Sequence, residues 1–152
     1  MSDFDTVAAA YDRHTKALAK ANEHNKAAVF DALAAAGITT VTAEFDGEGD
    51  SGQIENVTAR AREADVTLSA TPVTLHDASW QGDEFTTAES SLPKAIETLC
   101  YGYLEQYQGG WENNDGAFGS FVFNVAGRRI QLEFNGRFIA RFIDVATHNY
   151  DL

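Results

Sequence analysis

Between Phe45 and Glu55 the chain reads Phe45-Asp46-Gly47-Glu48-Gly49-Asp50-Ser51-Gly52-Gln53-Ile54-Glu55, with glycines alternating with acids. No Lys or Arg occurs between Lys26 and Arg60. Repulsion among Glu44, Asp46, Glu48, Asp50 and Glu55 has to be met by a cation, a basic partner or full solvation. Oxygen ligands at alternate positions of a short loop are how calcium sites begin, and Asp46, Glu48 and Asp50 have that spacing. The EF-hand pattern then fails. Ser51 stands where the sharp turn needs glycine, and Val57 stands where a bidentate glutamate belongs. Three readings stay open: a calcium or magnesium site of another kind, a loop shown to a basic partner, and a plain hairpin tip. In the last, Gly47, Gly49 and Gly52 supply positive φ while the acids face water. The hairpin tip is the simplest, so no cofactor is expected, with calcium or magnesium as the alternative.

A second stretch, Gly109-Gly110-Trp111-Glu112-Asn113-Asn114-Asp115-Gly116-Ala117-Phe118-Gly119, carries a strong turn signal beside two aromatics. Trp111 and Phe118 are expected to cover the core edge; stacking on a ligand is the other use of such rings. If the strands joined to the two loops are neighbours, Asp46, Asp50, Glu55, Glu112 and Asp115 converge at one end of a sheet. Convergent carboxylates bind a divalent ion or do acid–base work. The candidate binding residues are therefore Asp46, Glu48, Asp50, Glu55, Trp111, Glu112 and Asp115. No catalytic residue and no metal-ligand set is assigned.

Other chemistries find no support. His14, His24, His76 and His148 are dispersed, without the paired spacing of a zinc site. No nucleophile elbow, phosphate-binding loop or dinucleotide fingerprint is present. Gly49-Asp50-Ser51-Gly52 matches a protease tetrapeptide by chance, since no His and Asp pattern supports a triad. Cys100 is the single cysteine. It excludes an intrachain disulfide, fits a reducing compartment, and sits in an apolar helical pattern as a buried thiol.

The elements that must position these loops read as follows. Ser2 or Asp3 caps a helix over residues 3–36, with Phe4, Val7, Tyr11, Leu18, Val29, Phe30 and Leu33 as its apolar stripe. Asn22-Glu23-His24-Asn25 interrupts that stripe and predicts an exposed turn or kink. Gly37 stands where a left-handed cap belongs. Thr39 to Phe45 and Gln53 to Arg60 predict a hairpin. Ile54 and Val57 would fall on opposite faces by strict alternation, so a bulge is expected between them. Val66, Leu68 and Ala70 mark a weaker strand. Residues 76–91 predict a long surface loop pinned by Trp80 and Phe85. A second helix over 91–107 starts at Ser90 or Ser91 with Pro93 in its first turn, and buries Leu92, Ile96, Leu99, Tyr103 and Tyr107. Phe121, Phe123 and Val125, then Ile130, Leu132 and Phe134, alternate about Ala126-Gly127 as a hairpin whose apolar side chains should be buried. Residues 138–143 continue as strand or dock on the body, and the polar segment 145–152 frays. One α+β domain over 1–152 follows: an antiparallel sheet with two principal helices on one face.

With 152 residues and 44% hydrophobic content the chain is long enough for a core. Formal net charge is -12. Such a field repels nucleic acid and anionic membrane and favours basic protein partners. No membrane-length apolar run occurs, and the acidic start Met1-Ser2-Asp3-Phe4-Asp5 lacks a signal-peptide core, so a cytoplasmic location is expected. Arg128, Arg129, Arg137 and Arg141 cluster late and should pair with acids on neighbouring strands.

The segments Gly49–Glu55 and Gly110–Gly119, with Phe123-Asn124-Val125 and Leu132-Glu133-Phe134-Asn135, resemble an uncharacterised family of small acidic bacterial proteins. The resemblance covers roughly 38–60 and 92–140. It implies one small α+β domain of unknown function, with some members near plasmid or phage genes, and no established activity, catalytic residue or cofactor. Three functions are then in play. The first is a non-enzymatic module presenting acids to a basic protein, for a mobile element an inhibitor occupying a nucleic-acid-binding groove. The second is a metal-binding protein or small enzyme using the carboxylates. The third is a structural accessory subunit or homodimer.

Overall fold

The computed structural model describes residues 3–48, 51–77, 86–108, 116–139 and 143–152. Helix α1 spans Asp3–Ala35. Its many alanines favour helix intrinsically. It ends on Gly37 at φ 73, where Gly37 N–H bonds to Ala34 and Ile38 N–H to Leu33. Those two bonds form the expected left-handed closure. The expected exposed turn at Asn22–Asn25 does not form. The helix runs through it, because Asn22 and Asn25 are buried and find partners on other elements. Tyr11, expected on the apolar stripe, is exposed; the buried positions of α1 among its described side chains begin at His14.

The strands are β1 (Thr40–Glu48), β2 (Ser51–Ala61), β3 (Ala64–Val66), β4 (Pro72–Asp77), β5 (Thr86–Ser91), β6 (Ala117–Asn124), β7 (Arg129–Ile139) and β8 (Ile143–Asp151), with α2 (Leu92–Gln108) between β5 and β6. Six form an antiparallel sheet in the order β3-β2-β1-β6-β7-β8, and β4 and β5 form a separate pair. The predicted bulge is present: Glu44 faces Asn56 and Phe45 faces Ile54, so Glu55 is the extra residue. That slip lets both Ile54 and Val57 reach the core.

Three expectations are corrected. Leu68 and Ala70 fall outside β3, which stops at Val66. The 76–91 loop begins and ends as strand, since Leu75–Asp77 pairs with Thr86–Ala88; Trp80 and Phe85 lie outside the described residues. The 145–152 tail does not fray. It is an edge strand, and Leu152 exchanges both backbone bonds with Ile130. A polar sequence suits that place, because an edge strand buries little side-chain surface.

Both helices lie on one face of the sheet. Phe30 and Leu33 of α1 and Leu92, Ile96, Leu99 and Leu104 of α2 share a cluster with Val41, Phe121, Phe123, Ile130 and Leu132. Phe121, Phe123, Ile130, Leu132 and Phe134 are buried as expected. Within this face Gly119 sits between Phe45 on β1 and Phe134 on β7. With no side chain there, the two rings stack across the central strand at 6.0 Å. Gly102 plays a similar part between the helices, where its bare Cα accepts the Asn22 carboxamide. Cys100 is buried, and burial, with Glu97 nearby, pushes its thiol well above the ordinary range, so the thiolate is suppressed. Tyr107, expected in the core, is 42% exposed and rests on Tyr150 of β8 at 5.2 Å.

Candidate functional site

The acidic stretch occupies one end of the six-stranded sheet. Strand β1 lies between β2 and β6, so the β1–β2 tip and the start of β6 do meet at the same end. Asp50, Trp111, Glu112 and Asp115, and the side chain of Glu48, lie outside the described residues. Of the candidates that are described, Asp46 and Glu55 have different fates. Glu55 is exposed at the bulge. Asp46 is held by Arg137, whose Nη1 donates to Asp46 Oδ1 at 3.0 Å and to the Gly47 carbonyl at 3.2 Å. The guanidinium carbon lies 4.7 Å from the Phe118 ring centre, a cation–π distance. Thus the base-free span receives its positive charge from far along the chain. Gly47 and Gly52 do not supply positive φ; they face each other in extended ladder positions. Phe118 is not at the core edge either. It shares the opposite face with Asp46 and Asn135.

Arg137 bridges β7 to β1 across β6, so its loss should loosen this end. Arg137→Ala should lower stability by about 1 kcal/mol, the value of a partly exposed charge-assisted pair. Arg137→Lys should recover only part, because an ammonium can replace the donor but not the planar guanidinium that lies over the Phe118 ring. Equal melting temperatures for all three proteins would show that the pair contributes nothing.

The other late arginines pair more widely than expected. Arg129 bonds Asp151 on β8, and that hydrogen bond holds the Asp151 carboxyl below the usual carboxylate range. Arg128 reaches back to Asp31 on α1. Arg141 lies outside the described residues.

No described helix or strand covers the second face of the sheet. Its side chains form cross-strand rows set by the register. Asn56, Glu44, Ser120, Glu133 and Asn149 make one row, and Thr58, Thr42, Val122, Gln131 and Asp151 the next. A sheet with one face on a core and one in water alternates in this way. Among the described residues Lys16, Arg60, Lys94, Arg128, Arg129 and Arg137 are each tied to a carboxylate. Glu44 and Glu133, on either side of Ser120, make no ion pair among the described residues.

A family model matches residues 21–150. The chain belongs to DUF6878, a family of unknown function. No curated protein and no solved structure matches it significantly. The DUF6878 match begins inside α1, so it takes in more of the chain than the hairpins and the second helix that carry the sequence resemblance.

One polar feature of this DUF6878 chain escapes sequence reasoning. Between α1, α2 and β4 lies a cleft of about 240 Å³, lined by Asn22, Asn25, His76, Asp77, Tyr101 and Glu105 among others. His14 meets Glu105 at 3.2 Å, and Asn22 donates to Gln106 at 2.8 Å. Asn25 donates to the His76 carbonyl at 2.9 Å and accepts from its N–H at 2.7 Å. The His24 and His76 rings stack at 3.5 Å. The available signal was periodicity: His14, Leu18, Ala21, Asn25 and Val29 are spaced by three or four, which puts them on one helical face. Among the described residues no group of three His, Cys, Asp or Glu is arranged to hold a metal ion. No described helix is long and apolar enough to cross a membrane.

Proposed function

We propose that this DUF6878 protein is a non-enzymatic binding module whose open sheet face receives a basic protein surface. The observation that carries the reading is the row on that face where Glu44 and Glu133 flank Ser120, neither of them in an ion pair among the described residues. Strands set such carboxylates about 10 Å apart across two ladders, a spacing that lysines or arginines on a partner can straddle. The net charge of -12 supports fast, steered encounter with such a partner. A partner groove of the kind that binds nucleic acid has the matching chemistry. An inhibitor carried by a mobile element would act by occupying it.

The test compares wild type with Glu44→Lys/Glu133→Lys in capture from a cell lysate at low and moderate salt. Association kinetics are then measured on the purified captured protein. The double variant should keep its fold, because both residues are exposed, and should associate about tenfold more slowly with dissociation little changed. Raising salt should slow the wild type toward the variant. Equal recovery and equal association rates for both proteins would remove the open face from the binding model.

A further inference from the structure

The cleft between α1, α2 and β4 offers hydrogen-bond acceptors while its amide donors are occupied. Asn22 is only 3% exposed, and its Nδ2 is spent on Gln106. Its Oδ1 lies over the bare Cα of Gly102 and receives no hydrogen bond from the described residues. Asn22 and Gly102 both line the cleft, so this buried acceptor opens onto it. A buried carbonyl oxygen without a donor is costly, so a donor brought in from outside is favoured there. Asn25 differs, because both ends of its carboxamide are taken by the His76 backbone.

Two carboxylates complete the lining. Glu105 on α2 has its Oε1 against His14 at 3.2 Å, which leaves Oε2 for another donor. Asp77, at the end of β4, is exposed and makes no ion pair among the described residues. Glu105 stands beside His14, whereas Asp77 follows the His76 that Asn25 bonds. His14 and Asn25 are about three turns, roughly 16 Å, apart along α1. The carboxylates therefore stand toward different ends of the cleft, and Leu18 and Ala21 supply apolar lining between them. No Lys or Arg is among the described lining residues.

The matching ligand is a donor without acceptors, cationic at two ends and apolar between. An ammonium group has three N–H donors and no acceptor. A guanidinium fork seeks both oxygens of one carboxylate, and Glu105 already gives one to His14. A metal ion fits less well, because no three of the described His, Cys, Asp or Glu are arranged to hold one.

We propose that this cleft binds a short aliphatic diamine, with one ammonium on Glu105, the other on Asp77, and Asn22 Oδ1 accepting a further N–H. Its volume of about 240 Å³ is on the order of eight waters, room for a four-carbon chain with its two ammonium groups. The site is independent of the binding role proposed for the open sheet face.

The test is calorimetric titration of 1,4-diaminobutane into the full chain at low salt. Binding should saturate, and amide resonances should shift at Asn22 and Gly102 but not at Ser120 on the open face. Asp77→Asn and Glu105→Gln should each weaken binding about fivefold, the scale of an exposed charge-assisted contact. Both side chains are exposed, so the melting temperature should change little. Butylamine and a lysine blocked at both backbone ends carry one ammonium each. They should bind about fivefold more weakly than the diamine, which separates a free diamine from a lysine side chain of a protein. Glu44→Lys/Glu133→Lys should keep diamine binding, so the cleft and the open face stand or fall separately. Diffuse attraction to a chain of charge -12 would not saturate and would be matched by magnesium chloride at equal ionic strength. That result would overturn the proposal. So would shifts centred away from Asn22 and Gly102, an affinity unchanged in both carboxylate variants, or blocked lysine binding as tightly as the diamine.

Discussion

Gly119→Ala should lower the melting temperature by about 6–12 °C. A methyl at Gly119 would fall inside van der Waals contact of the Glu133 carbonyl oxygen and 2.9 Å from the Phe45 ring. The carbonyl belongs to the β6–β7 ladder, so it cannot swing aside without breaking pairing at the centre of the sheet. The Phe45 ring is fixed between Phe121 and Phe134. Overpacking of a close-fitted core costs typically 1–3 kcal/mol, and a backbone clash belongs at the top of that range, about 3 kcal/mol. In a chain of this length each kcal/mol moves the melting point by about 2–4 °C. Gly127→Ala in the β6–β7 turn is the control. There an added methyl meets only the Asn124 and Arg129 side chains at 3.6 and 3.7 Å, an ordinary contact. It should stay within about 0.5 kcal/mol of wild type. If the two variants melt together, Gly119 does not lie between Phe45 and Phe134.

The same residues show what a sequence can and cannot reveal. The β6–β7 hairpin was legible because Phe121, Phe123, Ile130, Leu132 and Phe134 alternate on both sides of a turn, and alternation is a local property. The Glu55 bulge was legible because Ile54 and Val57 could both be buried only by a slip of one residue. Gly37 was legible because a helix must close. Strands β4, β5 and β8 were not. Thr86-Thr87-Ala88-Glu89-Ser90-Ser91 is a strand because β4 offers it a ladder, and β8 because β7 does; neither has an apolar period of its own. The partner of Asp46 was hidden for the same reason. Arg137 lies 91 residues from Asp46, so nothing local shows that the acidic stretch carries its own cation. Composition had already marked the surface as acidic. Which carboxylates stay uncompensated depends on register, and register comes from pairing across the sheet.

Asn25 is the clearest instance of a polar residue read as a defect that is structural. Its carboxamide is buried at 3% exposure, deep in α1, and bonds both the N–H and the C=O of His76. It therefore acts toward β4 as a neighbouring strand would, extending the ladder of the β4–β5 pair onto the helix. An apolar residue there would leave both His76 backbone groups without these bonds, at about 1–3 kcal/mol each. Asn25→Ala and Asn25→Leu should each cost about 3 kcal/mol, a fall of about 6–12 °C. Leucine should not do better than alanine despite its greater apolar area, which separates lost hydrogen bonding from lost packing. Asn25→Asp should also fail, since a carboxylate keeps the acceptor for His76 N–H but sets negative charge against its carbonyl. The local readout is amide exchange: His76 N–H should be protected in wild type and exchange much faster in each variant, while Phe123 in the central sheet stays protected. Variants that melt within about 1 kcal/mol of wild type, with the His76 amide still protected, would mean that β4 is held by β5 and by apolar packing on the helices without the Asn25 bonds.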